Sequence, residues 1–522
     1  MKSKFRFPSR FSLCSYLTAA ALIPSISSAG DYTWDGDTSG SWIVGTNWVG
    51  NPNGSGVPTH GVGSIQTFYN TGATNLSTFL GAGRNVGTLK FDANADSDVT
   101  IRLATTAAGT TIANLTMDVT SGNAAIDIDS GAAGNFLIGV TAGSMVLNDN
   151  LVITHNGSGN LTINRPISSG TGLTTSLTKD GTGTLTLTAA NNFTGGFILN
   201  AGTLNINGLN SLGGTAALPS TVTINGGTID NTSGAAITIS TKLHAYAFNG
   251  DFSFKGTNAL NLSTGNVNLG TASGTTRKIT TTAGTLTIEG VISDGTTANS
   301  LIKDGAGTLT LAGANAYTGT TVIKAGSLKI NTTTTISTSS SIVVGDTGSS
   351  GAVLNAASAG FTVGSAQTLS GIGKVLATGQ TVLASGTISA GDSSVGTLSF
   401  DGGALTLDST SKFTYALGTS SDLVSLLNSV TLNLGSGTLG MADFAFSNSG
   451  GFGPGIYTLI SGASSFTGSL DSGDLAGSVN GFSSTLSMSG NNLILTASAV
   501  PEPNAAAMLG GLGLLALLRR RR

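Results

Sequence analysis

Charge is what this chain has least of. Only 9% of its 522 residues are Asp, Glu, Lys or Arg, where an ordinary globular domain carries roughly a quarter. The few basic residues gather at the ends. Lys2, Lys4, Arg6 and Arg10 open the chain and Arg519, Arg520, Arg521 and Arg522 close it, leaving 14 of the 22 against 25 acidic residues, a body of about −11. No basic stripe is left to meet a phosphate backbone or anionic lipid, so nucleic acid is excluded as a partner. Cysteine is nearly absent too. Cys14 is the single one, so disulfides cannot hold the fold in any redox compartment, and Phe11-Ser12-Leu13 before it makes a poor lipidation site. The three histidines, His60, His155 and His244, stand some ninety residues apart, with no His or Cys spacing that suggests zinc. Glycine-rich phrases occur throughout, but none has the strand-to-helix context of a nucleotide-binding loop. No cofactor is called for.

What is abundant is glycine, 77 residues of it, together with Ser, Thr and Asn around a regular apolar alternation. That alternation argues against disorder, because it offers rows of Leu, Ile and Val for burial. Its clearest form is residues 176–206, SLTKDGTGTLTLTAANNFTGGFILNAGTLNI, which returns at 300–330 as SLIKDGAGTLTLAGANAYTGTTVIKAGSLKI with 18 of 31 positions identical and no gap. Each copy twice contains Gly, then Ser or Thr, then Leu-x-Leu or Leu-x-Ile, at 183–187 and 202–206 and again at 307–311 and 326–330. Period two sets Leu185 and Leu187 on one face and Thr184, Thr186 and Thr188 on the other, so the phrase reads as a half-buried strand whose threonines face water. Variants stand at 87–91, 159–163, 284–288, 396–400, 403–407 and 492–496, each after a turn-forming Gly or Asn. A short strand with one apolar face cannot bury it alone, and stacking many of them predicts an all-β parallel solenoid. With about 20–25 residues to a turn and strands about 4.8 Å apart, the body would form a rod on the order of 90 Å long.

The two long copies resemble the autotransporter-associated β-strand repeat, whose core is K-D-G-x-G-T-L-x-L, then A-N-x-[FY]-T-G, then A-G-x-L. Here those positions are Lys179, Asp180, Gly181, Gly183, Thr184, Leu185, Leu187, Ala190, Asn191, Phe193, Thr194, Gly195, Ala201, Gly202 and Leu204, and the second copy matches from Lys303 through Leu328 with Tyr317 in the aromatic slot. The resemblance implies a right-handed parallel β-helix on an exported surface protein. Because Lys179-Asp180-Gly181 and Lys303-Asp304-Gly305 recur at equivalent places, they read as a repeat turn, Asp bonding the backbone and Gly taking positive φ, rather than as a site.

Taken in order, residues 1–29 have a basic start, an apolar run broken at Pro24 and a small-residue end at Ala29. That is a secretory signal peptide cleaved after Ala29, which implies the Sec translocon as a partner. Residues 30–60 hold all three tryptophans, Trp34, Trp42 and Trp48. They read as an N-terminal cap closing the first turn of the coil rather than as a sugar platform. Their W-D-G and N-W phrases resemble the start of bacterial surface proteins that carry the same repeat. The solenoid body is expected over 61–376. Residues 377–498 form a β-rich C-terminal module, either continuing the coil or folding back as a sandwich, and 389–400, SAGDSSVGTLSF, resembles the S-P-G-x-S-x-G-T-L junction of such arrays with Ala390 in the proline position. The final 499–522 contain Pro501, Glu502 and Pro503, an apolar run over 505–518 and the four arginines. As a helix the run spans about 21 Å, short of a bilayer core of about 30 Å without arginine snorkelling, and the arginines would remain cytoplasmic. This tail resembles the PEP-CTERM sorting signal, which implies recognition by an exosortase, removal of the transmembrane helix and delivery to the cell surface or extracellular matrix.

Because long β-solenoids include polysaccharide lyases and hydrolases, paired carboxylates deserve a search. The nearest candidates are Asp127 and Asp129, two apart on the polar side of a strand, and Asp149 with His155 nearby. A solvated strand face shows the same pattern. The expectation is a non-enzymatic adhesin or structural component, with exopolysaccharide or neighbouring copies as partners. A carbohydrate-active enzyme on the same coil, or an uncleaved membrane-anchored surface protein, are the alternatives. A passenger bearing its own membrane barrel is disfavoured by the short helical ending.

Overall fold

A computed structural model describes residues 30–500 apart from 51–55, 57, 69–74, 141–142, 216–217, 240–243, 271–274, 296, 347, 350 and 392–393. The chain winds as a three-faced parallel β-solenoid. Face one is a twelve-stranded sheet ending at Ile292–Ser293, resumed as a five-stranded sheet from Phe361–Val363. Face two is one sixteen-stranded sheet running from Ser77–Phe79 to Phe444–Gly450. Face three begins as four strands, Arg84–Val86 to Ile167–Ser169, and resumes at Ile237–Thr238 as a sheet of thirteen. Between these ends the described strand pairs are parallel, and in register except for shifts after Leu417 and Asn433 near the C-terminal end. On face two Val99, Phe136, Leu161, Leu185, Leu204, Ile229 and Phe254 stack one above another, each buried. The strands are short and apolar on alternate residues, so each can hide its inner face only against the turns above and below, and the core is a single column.

At about 4.8 Å per spacing, the sixteen strands of face two span about 72 Å. Turns are uneven in length rather than a steady run of about 20–25 residues, the longest lying near the N-terminal end, where Val99 and its partner Phe136 are 37 residues apart. Leu177 and its partner Phe197 are 20 residues apart, whereas Phe413 and Phe444 are 31 apart.

The two long repeats occupy different faces. In the first, Leu177–Asp180 and Phe197–Leu199 lie on face one and Thr184–Leu187 and Thr203–Ile206 on face two. In the second, Ser300–Asp304 and Thr321–Ile323 lie on face two and Thr308–Leu311 and Ser327–Ile330 on face three. The intervening chain therefore makes five turns and a third. The threonine row is not uniformly wet. Thr186 and Thr310 are buried, and Thr186 Oγ1 accepts from Asn205 Nδ2 of the next turn at 2.9 Å.

Both ends depart from the parallel rule. At the N-terminal end Asp31–Trp34 pairs antiparallel with Trp48–Val49. All three tryptophans are buried, packed edge to face with Trp34–Trp48 centroids 4.8 Å apart and Trp42–Trp48 5.4 Å. Phe68 continues the stack to Phe91 and Phe136 at 5.2 and 4.2 Å. Such a cluster shields the first turn from water and leaves no indole face free for sugar. At the other end the coil runs on through residue 377 without a break, to Ser465–Leu470 on face one. Only then does the chain fold back. Gly455–Ser461, Asn492–Ser498, Phe482–Ser489 and Ala476–Val479 form an antiparallel meander that extends face three. Of the two courses open to 377–498, most of it continues the coil and its last strands turn back on it. The expected sorting helix lies outside the described residues, among which no helix is long and apolar enough to cross a membrane.

Candidate functional site

The repeat turn is built around a buried lysine. In Leu177–Asp180 the alternation that turns Leu177 inward turns Lys179 inward as well, and both Lys179 and Lys303 are fully buried. An ammonium has three N–H bonds to satisfy. Lys179 Nζ donates to the carbonyls of Asp180 at 2.7 Å, Gly181 at 2.8 Å and Ala201 at 3.4 Å. Lys303 repeats the set with Asp304, Gly305 and Ala325 at 2.9, 2.7 and 2.9 Å. The third acceptor belongs to the next turn, so each lysine pins one corner of the coil to the corner above it. Burial pulls both lysines down to about 8, so the charged form persists at neutral pH. Gly181 and Gly305 take φ of +75° and +76°. Asp304 Oδ1 accepts from the Gly305 amide at 2.8 Å, while Asp180 Oδ1 accepts from Asn200 Nδ2 at 2.6 Å.

A second device explains the A-N-x-[FY]-T-G phrase. Where it occurs, one face has no strand: face three in the first copy, face one in the second. A buried asparagine supplies the missing ladder. Asn191 Oδ1 accepts from Ile167 N below at 2.9 Å and its Nδ2 donates to Ser211 O above at 2.6 Å. Asn315 Oδ1 likewise accepts from Ile292 N at 2.9 Å. The volume left by the absent strand is filled by Phe193 and Tyr317, neither with any exposure. The Tyr317 hydroxyl bonds Thr321 Oγ1 at 2.7 Å, which bonds Ser339 Oγ at 2.7 Å, and burial pushes Tyr317 up to about 12. The repeat pattern alone marks Lys179, Lys303 and Asn191 as motif positions; that the two lysines point inward follows from the period of two, while no local signal marks the asparagines as bridges.

Outside the column the turns are joined by a polar ladder. Asp180, Asn200, Asn225 and Asn249 succeed one another on four consecutive turns, each amide donating to the oxygen of the residue below at 2.6, 2.6 and 3.1 Å. Asn135 similarly bonds Asp98 on one side and the Asn160 amide on the other. Stacked amides of this kind stabilise parallel in-register strands and present a repeating row of donors and acceptors to solvent.

The acidic candidates do not form a paired site. Asp127 lies between Lys90 and Thr154 in register, and Lys90 Nζ reaches Asp129 Oδ2 at 3.4 Å. Burial raises the Asp127 carboxyl from its ordinary value, with Thr154 bonding against that shift. Asp149 Oδ2 accepts from Val119 N at 2.8 Å. His155 points into the column, fully buried, and burial pulls it to about 4. His60 sits in the tryptophan cap on Trp42 O at 3.2 Å, and His244 shares a 3.2 Å bond with Ser220. Among the described residues no three His, Cys, Asp or Glu are placed to hold a metal.

Comparison with known families gives two matches. The passenger-associated-transport-repeat model matches residues 177–206 and 301–330, the stretches that carry the buried lysine and the aromatic plug. The PEP-CTERM protein-sorting motif matches residues 499–522. The chain carries two passenger-associated-transport repeats and a PEP-CTERM tail. No curated protein matches it. Within each transport repeat the matched residues make two strands on one face and two on the next, locked by lysine and bridged by asparagine. The PEP-CTERM tail marks an exported protein that is processed by an exosortase and reaches the cell surface. Its Pro501, Glu502 and Pro503, like Ala29 at the end of the expected signal peptide, lie outside the described residues.

Proposed function

We propose that the exported solenoid is a non-enzymatic adhesin or structural component of the cell surface or extracellular matrix, meeting exopolysaccharide or neighbouring copies along its polar outer rows. The reading rests chiefly on the Asp180–Asn200–Asn225–Asn249 ladder, a repeated polar surface suited to many weak contacts rather than one reaction. Sugar polymers offer hydroxyls at a repeat of their own, and weak bonds multiplied along a rod add up to retention without a deep site. The route begins at the Sec translocon with the signal peptide over residues 1–29, and ends when an exosortase acting at Pro501-Glu502-Pro503 releases the body from its helix. The dispersed carboxylates and net negative body fit a scaffold that does not bind nucleic acid.

Purified full-length protein added to cells lacking it should restore attachment between cells and matrix while leaving matrix polysaccharide at its original chain length. Shortening of the polysaccharide, abolished by Asp127→Asn with Asp129→Asn, would instead make the protein an enzyme.

A further inference from the structure

The last two strands of face two are longer than the strand beneath them. Lys412–Gly418 and Phe444–Gly450 run seven residues each, over the four of Thr387–Ala390, and the pairing with that lower strand stops at Ser389↔Thr414. Beyond that point the lower edge of Lys412–Gly418 pairs with no strand among the described residues. Asp422 takes its place. Its Oδ2 accepts from Ala416 N at 2.6 Å and its Oδ1 from Gly396 N at 2.8 Å, which also ties the 389–400 junction to the Ser421-Asp422-Leu423 segment.

Under this overhang lies a cavity of about 620 Å³, bordered by Ser389, Ser394, Tyr415, Asp422, Phe446 and Asn448. That is within the range of small-ligand sites. Its walls combine an aromatic platform with hydrogen-bonding groups. Tyr415 and Phe446 are register partners, stacked with centroids 6.4 Å apart, and Phe446 is half-buried on the last strand of the sheet. The Tyr415 hydroxyl is buried and makes no hydrogen bond among the described residues. A buried hydroxyl without a partner is costly, and Tyr415 is among the residues that border the cavity. No Lys, Arg or His stands among the described lining residues, whereas a carboxylate does, so an anionic ligand would find repulsion and no counter-charge.

We infer that this cavity binds a neutral sugar unit of a polysaccharide, one face of the ring on Phe446 and its hydroxyls on Tyr415, Asp422 and Asn448. The inference deepens the adhesin reading by giving the rod one defined saccharide subsite near its C-terminal end. An unpartnered hydroxyl can be removed without loss of stability, and a bond made only to the ligand can be worth a tenfold change in affinity, about 1.4 kcal/mol.

The test is calorimetric titration of the full-length protein with cellobiose, maltose and N,N′-diacetylchitobiose, with digalacturonate as the charged counterpart. Saturable binding of at least one neutral disaccharide is expected, without binding of digalacturonate. Tyr415→Phe should weaken it about tenfold at a melting temperature no lower than that of the wild type, and Phe446→Ala should abolish it. Tight binding of digalacturonate, or no neutral disaccharide bound, or affinity unchanged in both variants, would overturn the inference. Retention on intact polysaccharide measured in parallel separates the two readings: if it survives both substitutions the subsite fails and the adhesin stands, and if wild type is not retained at all the adhesin reading fails on its own.

Discussion

Replacing Lys179 by methionine isolates the contribution of the buried clamp. Methionine keeps most of the side-chain volume and removes only the ammonium, so packing at the corner changes little. Three carbonyls, of Asp180, Gly181 and Ala201, then lose their donor. A buried carbonyl left unpaired costs about 1–3 kcal/mol, and against this stands the release of an ammonium from a low-dielectric site, several kcal/mol in the other direction. With three carbonyls losing a donor and one ammonium released, we expect a net loss of about 2–4 kcal/mol. In a column whose turns touch only their neighbours, that loss stays local. Hydrogen exchange read by mass spectrometry should therefore show faster exchange in Leu151–His155, Leu177–Asp180 and Phe197–Leu199, the strands paired through this corner, with Ser300–Asp304 unchanged. Lys303→Met should give the mirror result. Buried ion pairs elsewhere can be replaced by apolar residues at no cost. If Lys179→Met exchanges no faster than wild type, the lysine is tolerated in the corner rather than holding it.

The remaining expectations are briefer. Phe193→Ala empties the volume left by a missing strand and should cost about 3–5 kcal/mol, seen as protease cleavage near residues 189–196; an uncut variant would mean that the corner collapses without its plug. Asn191→Leu leaves Ile167 N and Ser211 O without partners and should lower stability by about 2–4 kcal/mol in urea unfolding, more than an exposed Asn249→Ala, and equality of the two would refute the bridging role. His60 and His155 are each pulled to about 4 by burial, so between pH 6.5 and 4 the unfolded chain binds protons that the fold does not. Stability should be full above pH 6.5 and fall as pH drops toward 4, and a melting temperature that rises on acidification over that window would contradict it. Protein recovered from the cell surface should lack the arginine tail by mass spectrometry, and a variant without residues 499–522 should be lost to the medium; surface protein that keeps all four arginines would speak against exosortase cleavage.

How much of this could be read without coordinates depended on what each residue repeats. The alternation in GTLTL and its variants fixes short strands with one apolar face, and stacking follows because nothing else buries that face. What alternation cannot reveal is which face of the coil a strand occupies, since 20 and 31 residues both complete a turn; hence the one-face offset between repeats was invisible. Recurrence at equivalent places marks Lys179 and Lys303 as part of a repeat turn, but only their position two after an inward leucine tells that their side chains enter the column. Thr186 is sealed by an asparagine on the following turn, a contact 19 residues away that local pattern cannot anticipate. The cavity at Asp422 arises from unequal strand lengths, which emerge only once the strands are in register.

Parallel, in-register stacking of successive turns can be tested by paired cysteines, since Cys14 is the sole native one and precedes the body. Thr178 and Ile198 are register partners in the first repeat, as are Ile302 and Val322 in the second, and adjacent strands place their Cα atoms about 4.8 Å apart, within disulfide range. Thr178→Cys with Ile198→Cys, and Ile302→Cys with Val322→Cys, should each oxidise quickly to an intramolecular disulfide, while Thr178→Cys with Asn200→Cys should not. Failure of both in-register pairs, or faster closure of the off-register one, would mean that the turns do not stack as a parallel coil.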